Sequence, residues 1–514
     1  MSRVIFINAC GLLLTCFVLG GSTDLGALGT TIIEVYALQL LVFLAFANTS
    51  DGSSGAKTSP NWGNYLFWFC PLLFALLQII PLPASIWTVL PGHGILSDVY
   101  ELLPQLKPWY SISLLPRATR LTAFELLPAA TIFIATLSMN VVRRQTLVWL
   151  CLLLGIASCL LGLAQTVQGD GSPLRFYEFS NVNHPVGFFA NSNHFSALLY
   201  SSMTLSLFVI TTIWPQRTKT DKNQKAPGAH YALLALVFVA SFMFFATQIL
   251  TTSRMGNALM VVGLIASFAA FLAGKKTATG NTTLWAITLT GLVLMGIAAS
   301  FGLDKFSARI GQDLHNEARL MFTATTFKAA LGYLPFGSGL GSFERIYALQ
   351  ETSQTLLPTV VNHAHNDYVE IFLEAGIFGV AWVGLFIIWW LRQTARIWHV
   401  NQNPAAFVTP REAQLARTAS IVVGLLLMHS VVDYPLRTET LSVVFAMSCA
   451  LMLPPRQNQD SVVIDAPPRA RRKKTAPMPI GLAGDQRSKS RNSEKASADT
   501  KPAPTEWPDA WSDK

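Results

Sequence analysis

About twelve stretches of roughly twenty mostly apolar residues recur along the chain, and crossing ~30 Å of hydrocarbon in a helix takes about that many. No other feature restricts the fold as much, because a lipid-crossing segment must satisfy its own backbone hydrogen bonds, as a helix does. The stretches lie near 4–22, 27–47, 64–81, 119–138, 146–166, 187–213, 231–252, 256–273, 283–302, 376–393, 419–432 and 438–453, the eleventh being the shortest. Only 13% of the 514 residues are charged and 51% are hydrophobic. The expected fold is all-α: a polytopic membrane protein with about twelve transmembrane helices over 1–453, followed by a tail at 454–514.

IFINACGLLLTCFVLG behind Arg3 has no clean small-x-small cleavage site, and a second apolar stretch follows at once, so a retained helix is expected. All six cysteines lie inside apolar stretches without a CxxC pair, which points to packing rather than a disulfide framework or a metal site. Placing the N-terminus in the cytoplasm puts most Lys and Arg inside, including the short loops with Arg143–Arg144 and Lys275–Lys276, so both termini are expected there. Much of the basic charge behind the net +9 sits in the Pro-, Ser- and Lys-rich tail. That composition predicts disorder and attraction to anionic lipid headgroups, not nucleic-acid binding.

Two segments then fall on the far face. Residues 82–118 carry Trp, Tyr and Pro suited to the headgroup layer, and 303–375, between the ninth and tenth helices, is far longer than an ordinary connection. Within it Leu320, Ala324, Phe327 and Leu331 predict an amphipathic helix that lies on the membrane or caps the bundle. PFGSGLGSF at 335–343 is a glycine-rich turn, either a flexible connector or, less simply, a phosphate cradle.

The distribution of polar residues bears on function. Glu34, Glu125, Asn191 and Asn193 are the few candidates inside the membrane, whereas His184, His194, Arg254, Arg309, His315, Arg319, Lys328, Arg345, His363, His365, Asp433 and Arg437 collect on the far side. A transporter concentrates such groups at mid-membrane, so the asymmetry favours a site at the outer surface. Arg254, in TTSRMGN, either snorkels to the interface or binds an anion there. Arg319 is either a solvated charge or faces the membrane mouth beside Arg254. In NHAHNDYVEIFLEAGIFG, Asp367 and Glu370 form a D-x-x-E capping pattern that starts a helix near Tyr368. His365 precedes that positive helix end, as either a capping histidine or a neutral imidazole able to act as a general base. His363 and His365 lack a clear third ligand, so no metal site is expected.

HN at 365–366 with Gly376 and Gly379 resembles the signature of the O-antigen ligase and polymerase family of membrane glycosyltransferases. GFFANSNHFSALL, TTSRMGN, EARLMF with LPFGSGLGSF, SISLLPRATR and VVDYPLRTETL resemble further family segments, so the likeness runs over roughly 110–450. The resemblance implies a GT-C-like helical fold in the bacterial inner membrane, with a large periplasmic loop. It also implies metal-independent, cofactor-free, inverting transfer of a glycan from undecaprenyl diphosphate to a hydroxyl of lipid A-core, a growing polysaccharide or another acceptor. His365 would be the base, Arg254 and Arg319 would bind the diphosphate, and Asn191, Asn193, His363, Asn366 and Arg345 would support them. NVNHPVGFF places His184 where many relatives carry an arginine or lysine. Alternatives are a protein O-oligosaccharyltransferase of the same family, a twelve-helix transporter or flippase, and an inactive scaffold.

Overall fold

The computed structural model describes residues 2–23, 27–50, 62–102, 105, 108–213, 228–273, 314–353, 355–356, 359–399 and 409–455. Among these residues the chain is helical, with a single isolated bridge between Leu82 and Tyr110. The α-helices are α1 (Ser2–Leu19), α2 (Leu28–Ser50), α3 (Trp62–Gln78), α4 (Ala84–Trp87), α5 (Gly94–Glu101), α6 (Pro116–Leu137), α7 (Val141–Gln168), α8 (Ser192–Ile213), α9 (Gly228–Leu250), α10 (Arg254–Ala273), α11 (Leu314–Ala330), α12 (Phe343–Ala348), α13 (Asp367–Trp398), α14 (Pro410–His429) and α15 (Glu439–Leu451). The expected stretch at 283–302, the start of the long loop at 303–313 and the tail beyond 455 lie outside the described residues.

Eight of the described helices are long and apolar enough to cross a membrane: α1, α2, α6, α7, α8, α9, α10 and α13. The apolar parts of α3 and α15 are shorter. The expected eleventh stretch, 419–432, is a 20-residue helix, α14, that starts at Pro410 behind a Thr409–Glu412 capping box. It was cut short in the sequence because its first turns carry Arg417, Thr418 and Ser420, which are buried against protein rather than lipid. A helix enclosed by its neighbours need not be apolar all round. α8 likewise begins at Ser192 rather than near 187, because the Asn191 carboxamide accepts from Asn193 N–H at 2.8 Å and fixes the helix start.

α15 packs along α6, and α8 is enclosed by α9, α10 and α14, so one continuous apolar core joins α1, α2, α6, α7, α8, α14 and α15. Arg144, expected as a topology charge, is 2% exposed. Its guanidinium donates to the carbonyls of Thr136, Met139 and Leu453 at 3.1, 3.2 and 2.6 Å, closing the C-terminal ends of α6 and α15. α11 lies against α13. It buries Phe322, Thr326, Ala329 and Ala330, while the expected stripe of Leu320, Ala324, Phe327 and Leu331 faces outward. α11 is thus apolar on two sides, and the periodicity singles out the more exposed one, from which Phe327 still touches Phe372 of α13, 5.6 Å between ring centroids.

Candidate active site

The site is organised by a break in α13. Asn366, not Asp367, caps this helix: its carboxamide accepts from the N–H groups of Tyr368 and Val369, both at 3.1 Å. The helix runs regularly to Ala375 and is interrupted at Gly376, which has φ +58 and ψ −142, a conformation reserved for glycine. Three of the groups freed there are satisfied by the glycine-rich turn. Ser338 N–H donates to Leu373 O (2.9 Å), Gly339 N–H to Glu374 O (3.0 Å) and Ile377 N–H to Pro335 O (3.0 Å). Gln78 of α3 completes the joint, donating to Glu374 O at 2.9 Å and accepting from Leu340 N–H at 3.0 Å. A Cβ at Gly337 would collide with the Glu374 backbone, and one at Gly376 with Pro335 O. The turn at 335–343 is therefore neither a flexible connector nor a phosphate cradle: its amides are spent on the helix break.

Upstream of the break, Asp367, Glu370 and Glu374 share one face of α13 at helical spacing, all buried. They surround Arg437, on the 3-10 turn Pro435–Arg437. The guanidinium lies 3.5 Å from Asp367 Oδ1 and 3.4 Å from Glu370 Oε1, and donates two 3.0 Å bonds to Glu374 Oε2. Burial alone would lower the Arg437 pKa, but the charges of Glu370, Glu374 and Asp367 raise it above its ordinary value, so the cation is permanent. Glu370 therefore does not cap the helix as the D-x-x-E pattern suggested. Its Oε1 lies 2.8 Å from His363 Nδ1 and its Oε2 accepts from Ala364 N–H at 2.9 Å.

His365 has φ +51, the left-handed region that a non-glycine residue enters at a cost of about 1–3 kcal/mol. It is held there from both sides, since Asn366 begins α13 and Ala364 O accepts from Thr323 of α11 at 3.2 Å. Its Nδ1 lies 3.3 Å from Oδ1 of Asp433, which also accepts the Tyr434 N–H at 3.0 Å. Burial alone would raise the Asp433 pKa, yet the His365 hydrogen bond and the charges of His194, His365 and Arg319 hold it well below the usual carboxylate range. His194 Nε2 is 3.9 Å from the same Oδ1. The Tyr434 ring joins the three imidazoles, with centroids 4.8, 4.2 and 5.0 Å from His194, His363 and His365. Its hydroxyl is hydrogen-bonded to Asn191 and Asn362, and burial raises its pKa so that it stays protonated. The arrangement is a carboxylate-oriented imidazole on a strained, rigid support, a geometry suited to accepting a proton.

His363, His365, Asn366 and Asn191 thus meet in one place, and Arg319 is close enough for its charge to act on Asp433. Asn193 lies in the first turn of α8 beside this cluster. Arg254 is exposed and opens α10, whose first turn is tied to the start of α8 by Gln248, donating to Ser196 Oγ (2.6 Å) and Asn257 Oδ1 (3.1 Å). Arg345 stands apart: its side chain is 76% exposed, 3.9 Å from Glu344. No group of three or more His, Cys, Asp or Glu among the described residues is placed to hold a metal ion. The sequence places His194, Asp433 and Arg437 in the far-side polar group without giving them a role, and does not single out Tyr434 or Glu374. The available signal was DYPLR, an acid and a base between two apolar stretches, since intramembrane charge is retained only where it has a partner.

Against known proteins, residues 238–384 match the family model for O-antigen ligase, a span that contains Arg254, Arg319, His363, His365 and Gly376 and stops short of Asp433 and Arg437. No curated protein matches the chain. With its apolar spans the chain is a multi-pass membrane protein, and its segment 238–384 is similar to O-antigen ligase.

Proposed function

We propose that the protein transfers a glycan from undecaprenyl diphosphate to an acceptor hydroxyl at the periplasmic face of the inner membrane, as an O-antigen ligase or a surface-polysaccharide polymerase. The observation that carries this reading is His365, strained into φ +51 with Nδ1 on the buried Asp433. Asp433 orients the ring so that Nε2 takes the proton of the acceptor hydroxyl as that oxygen attacks the anomeric carbon. The sugar–phosphate bond breaks on the opposite face, which inverts the anomeric centre, and the electron pair leaves with the diphosphate. Arg254 and Arg319 would stabilise that growing anion, guanidinium being well shaped for phosphate oxygens. No step requires a metal ion.

The test is His365→Ala in the purified full-length protein, supplied with undecaprenyl-diphosphate glycan and acceptor. Transfer should fall by about 10²–10⁴-fold, the usual contribution of a general base, while membrane insertion is unchanged; wild-type transfer by the variant would remove His365 from the chemistry. Lipid-linked glycans of a deletion strain separate the two activities: long chains stranded on lipid mark a ligase, single repeat units a polymerase.

A further inference from the structure

His365 is not the only imidazole here held by a buried carboxylate. His363 Nδ1 lies 2.8 Å from Glu370 Oε1, and its ring is packed between Tyr434, at 4.2 Å, and Phe343, at 6.4 Å between centroids. Glu370 has no freedom to follow another partner, because Ala364 N–H and Arg437 hold its two oxygens. The His363 side chain is 13% exposed, and the Tyr434 ring that it packs against also touches His365, 5.0 Å between centroids. The two pairs differ in length. At 2.8 Å the Glu370 contact falls in the charge-assisted range for an N–H donor on a carboxylate, about 2.7–2.9 Å, whereas the 3.3 Å contact of His365 with Asp433 lies outside it.

We propose that His363 is a second catalytic residue, the proton donor to the leaving diphosphate, with Glu370 as its positioning residue. This rests on the glycosyl-transfer reading above and adds to it the partner of the base. As the acceptor oxygen bonds to the anomeric carbon, its proton passes to His365 Nε2. As the anomeric carbon–oxygen bond to phosphate breaks, the electron pair stays on the phosphate oxygen, which takes the proton from His363 Nε2. One imidazole gains a proton and the other loses one, so the site carries the same charge before and after transfer. Exchange with water resets both. The ionisable groups around His363 are Glu370 and Asp367 from α13, Arg437 from the 3-10 turn, Tyr434 just before that turn, His365 on its own loop and His194 from α8.

The experiment measures kcat and KM against pH for the full-length protein in nanodiscs, as wild type, His363→Gln, Glu370→Gln and His365→Ala. Glutamine at 363 still donates to Glu370, so the fold has a way to persist. An acid–base pair gives a bell-shaped profile. His363→Gln should lower kcat by about 100-fold, leave KM for the acceptor within about twofold and abolish the alkaline limb, while Glu370→Gln should shift that limb without removing it. Wild-type kcat in His363→Gln, or a loss equal at every pH with both limbs intact, overturns the proposal. If His363→Gln does not fold, an unmoved alkaline limb in Glu370→Gln overturns it instead. His365→Ala separates the two readings: activity retained there defeats the glycosyl-transfer mechanism, whereas a failure confined to His363 leaves it standing.

Discussion

Among the described residues Arg437 alone touches all three of Asp367, Glu370 and Glu374, so replacing it with leucine leaves three buried carboxylates together with only His363 beside Glu370. Removing one partner of a buried ion pair costs about 3–5 kcal/mol, because the remaining charge has no solvent to turn to. Glu374 suffers most: it loses both 3.0 Å bonds from the guanidinium and keeps the Phe343 N–H at 3.2 Å. Arg437→Leu should therefore destabilise by about 3–5 kcal/mol, and Arg437→Lys by less, since it restores charge but not the planar fork. The assay is a double-mutant cycle on thermal unfolding in nanodiscs with Glu374→Gln. Neutralising Glu374 in the leucine background should recover about 1–3 kcal/mol, the usual range of coupling for groups in one network. Strictly additive effects would refute the claim that Arg437 is retained to balance these carboxylates. Transfer activity should fall with stability, because Glu370 and Asp367 also fix the loop that carries both histidines.

Gly376→Ala forces an L-residue into a glycine conformation and pushes its Cβ into Pro335 O. The cost should be about 2–4 kcal/mol, from the backbone and the Ile377–Pro335 bond, read by the same unfolding assay. Asp433→Asn should lower kcat by about 10²–10⁴-fold through a misoriented imidazole. The depressed pKa of Asp433 gives the sign of its pH dependence. Its contribution to stability is complete above the unfolded value of about 3.9 and is lost as pH falls through the lower folded value, so titration of Asp433 itself should add no slope to the stability gap to Asp433→Asn between about pH 5 and 8 and should close that gap in acid. Chelation should leave transfer unchanged; a loss reversed by Mg²⁺ or Mn²⁺ would contradict the metal-independent reading.

Hydropathy located the membrane helices because a lipid-facing helix must be apolar along its whole length, and α1, α7, α9 and α10 meet that demand. It failed at α14, where Arg417 and Thr418 face protein, and at α11, where two apolar sides left the packing side undetermined. The histidines were legible because NHAHNDY is a polar run against an apolar helix. Their partners were not, since Asp433 lies 68 residues after His365 and no local spacing connects them. The glycine-rich turn was misread for the same reason: its amides are matched to carbonyls at 373 and 374, supplied by a distant helix.

These distant pairings explain why the break in α13 and the strained His365 occur together. A membrane helix running unbroken to Asp367 would carry its first turns in whatever direction the span takes. The glycine at 376 uncouples the two, and the turn at 335–343 with Gln78 then fixes the short upper segment against α3 and α6. Arg437 fixes the same segment from the opposite side through its three carboxylates. Asn366, Glu370 and Asp433 can then hold a histidine loop in a backbone conformation it would not adopt alone. Strain of about 1–3 kcal/mol at His365 persists only where its surroundings over-determine it, and each of these contacts is one of those determinants.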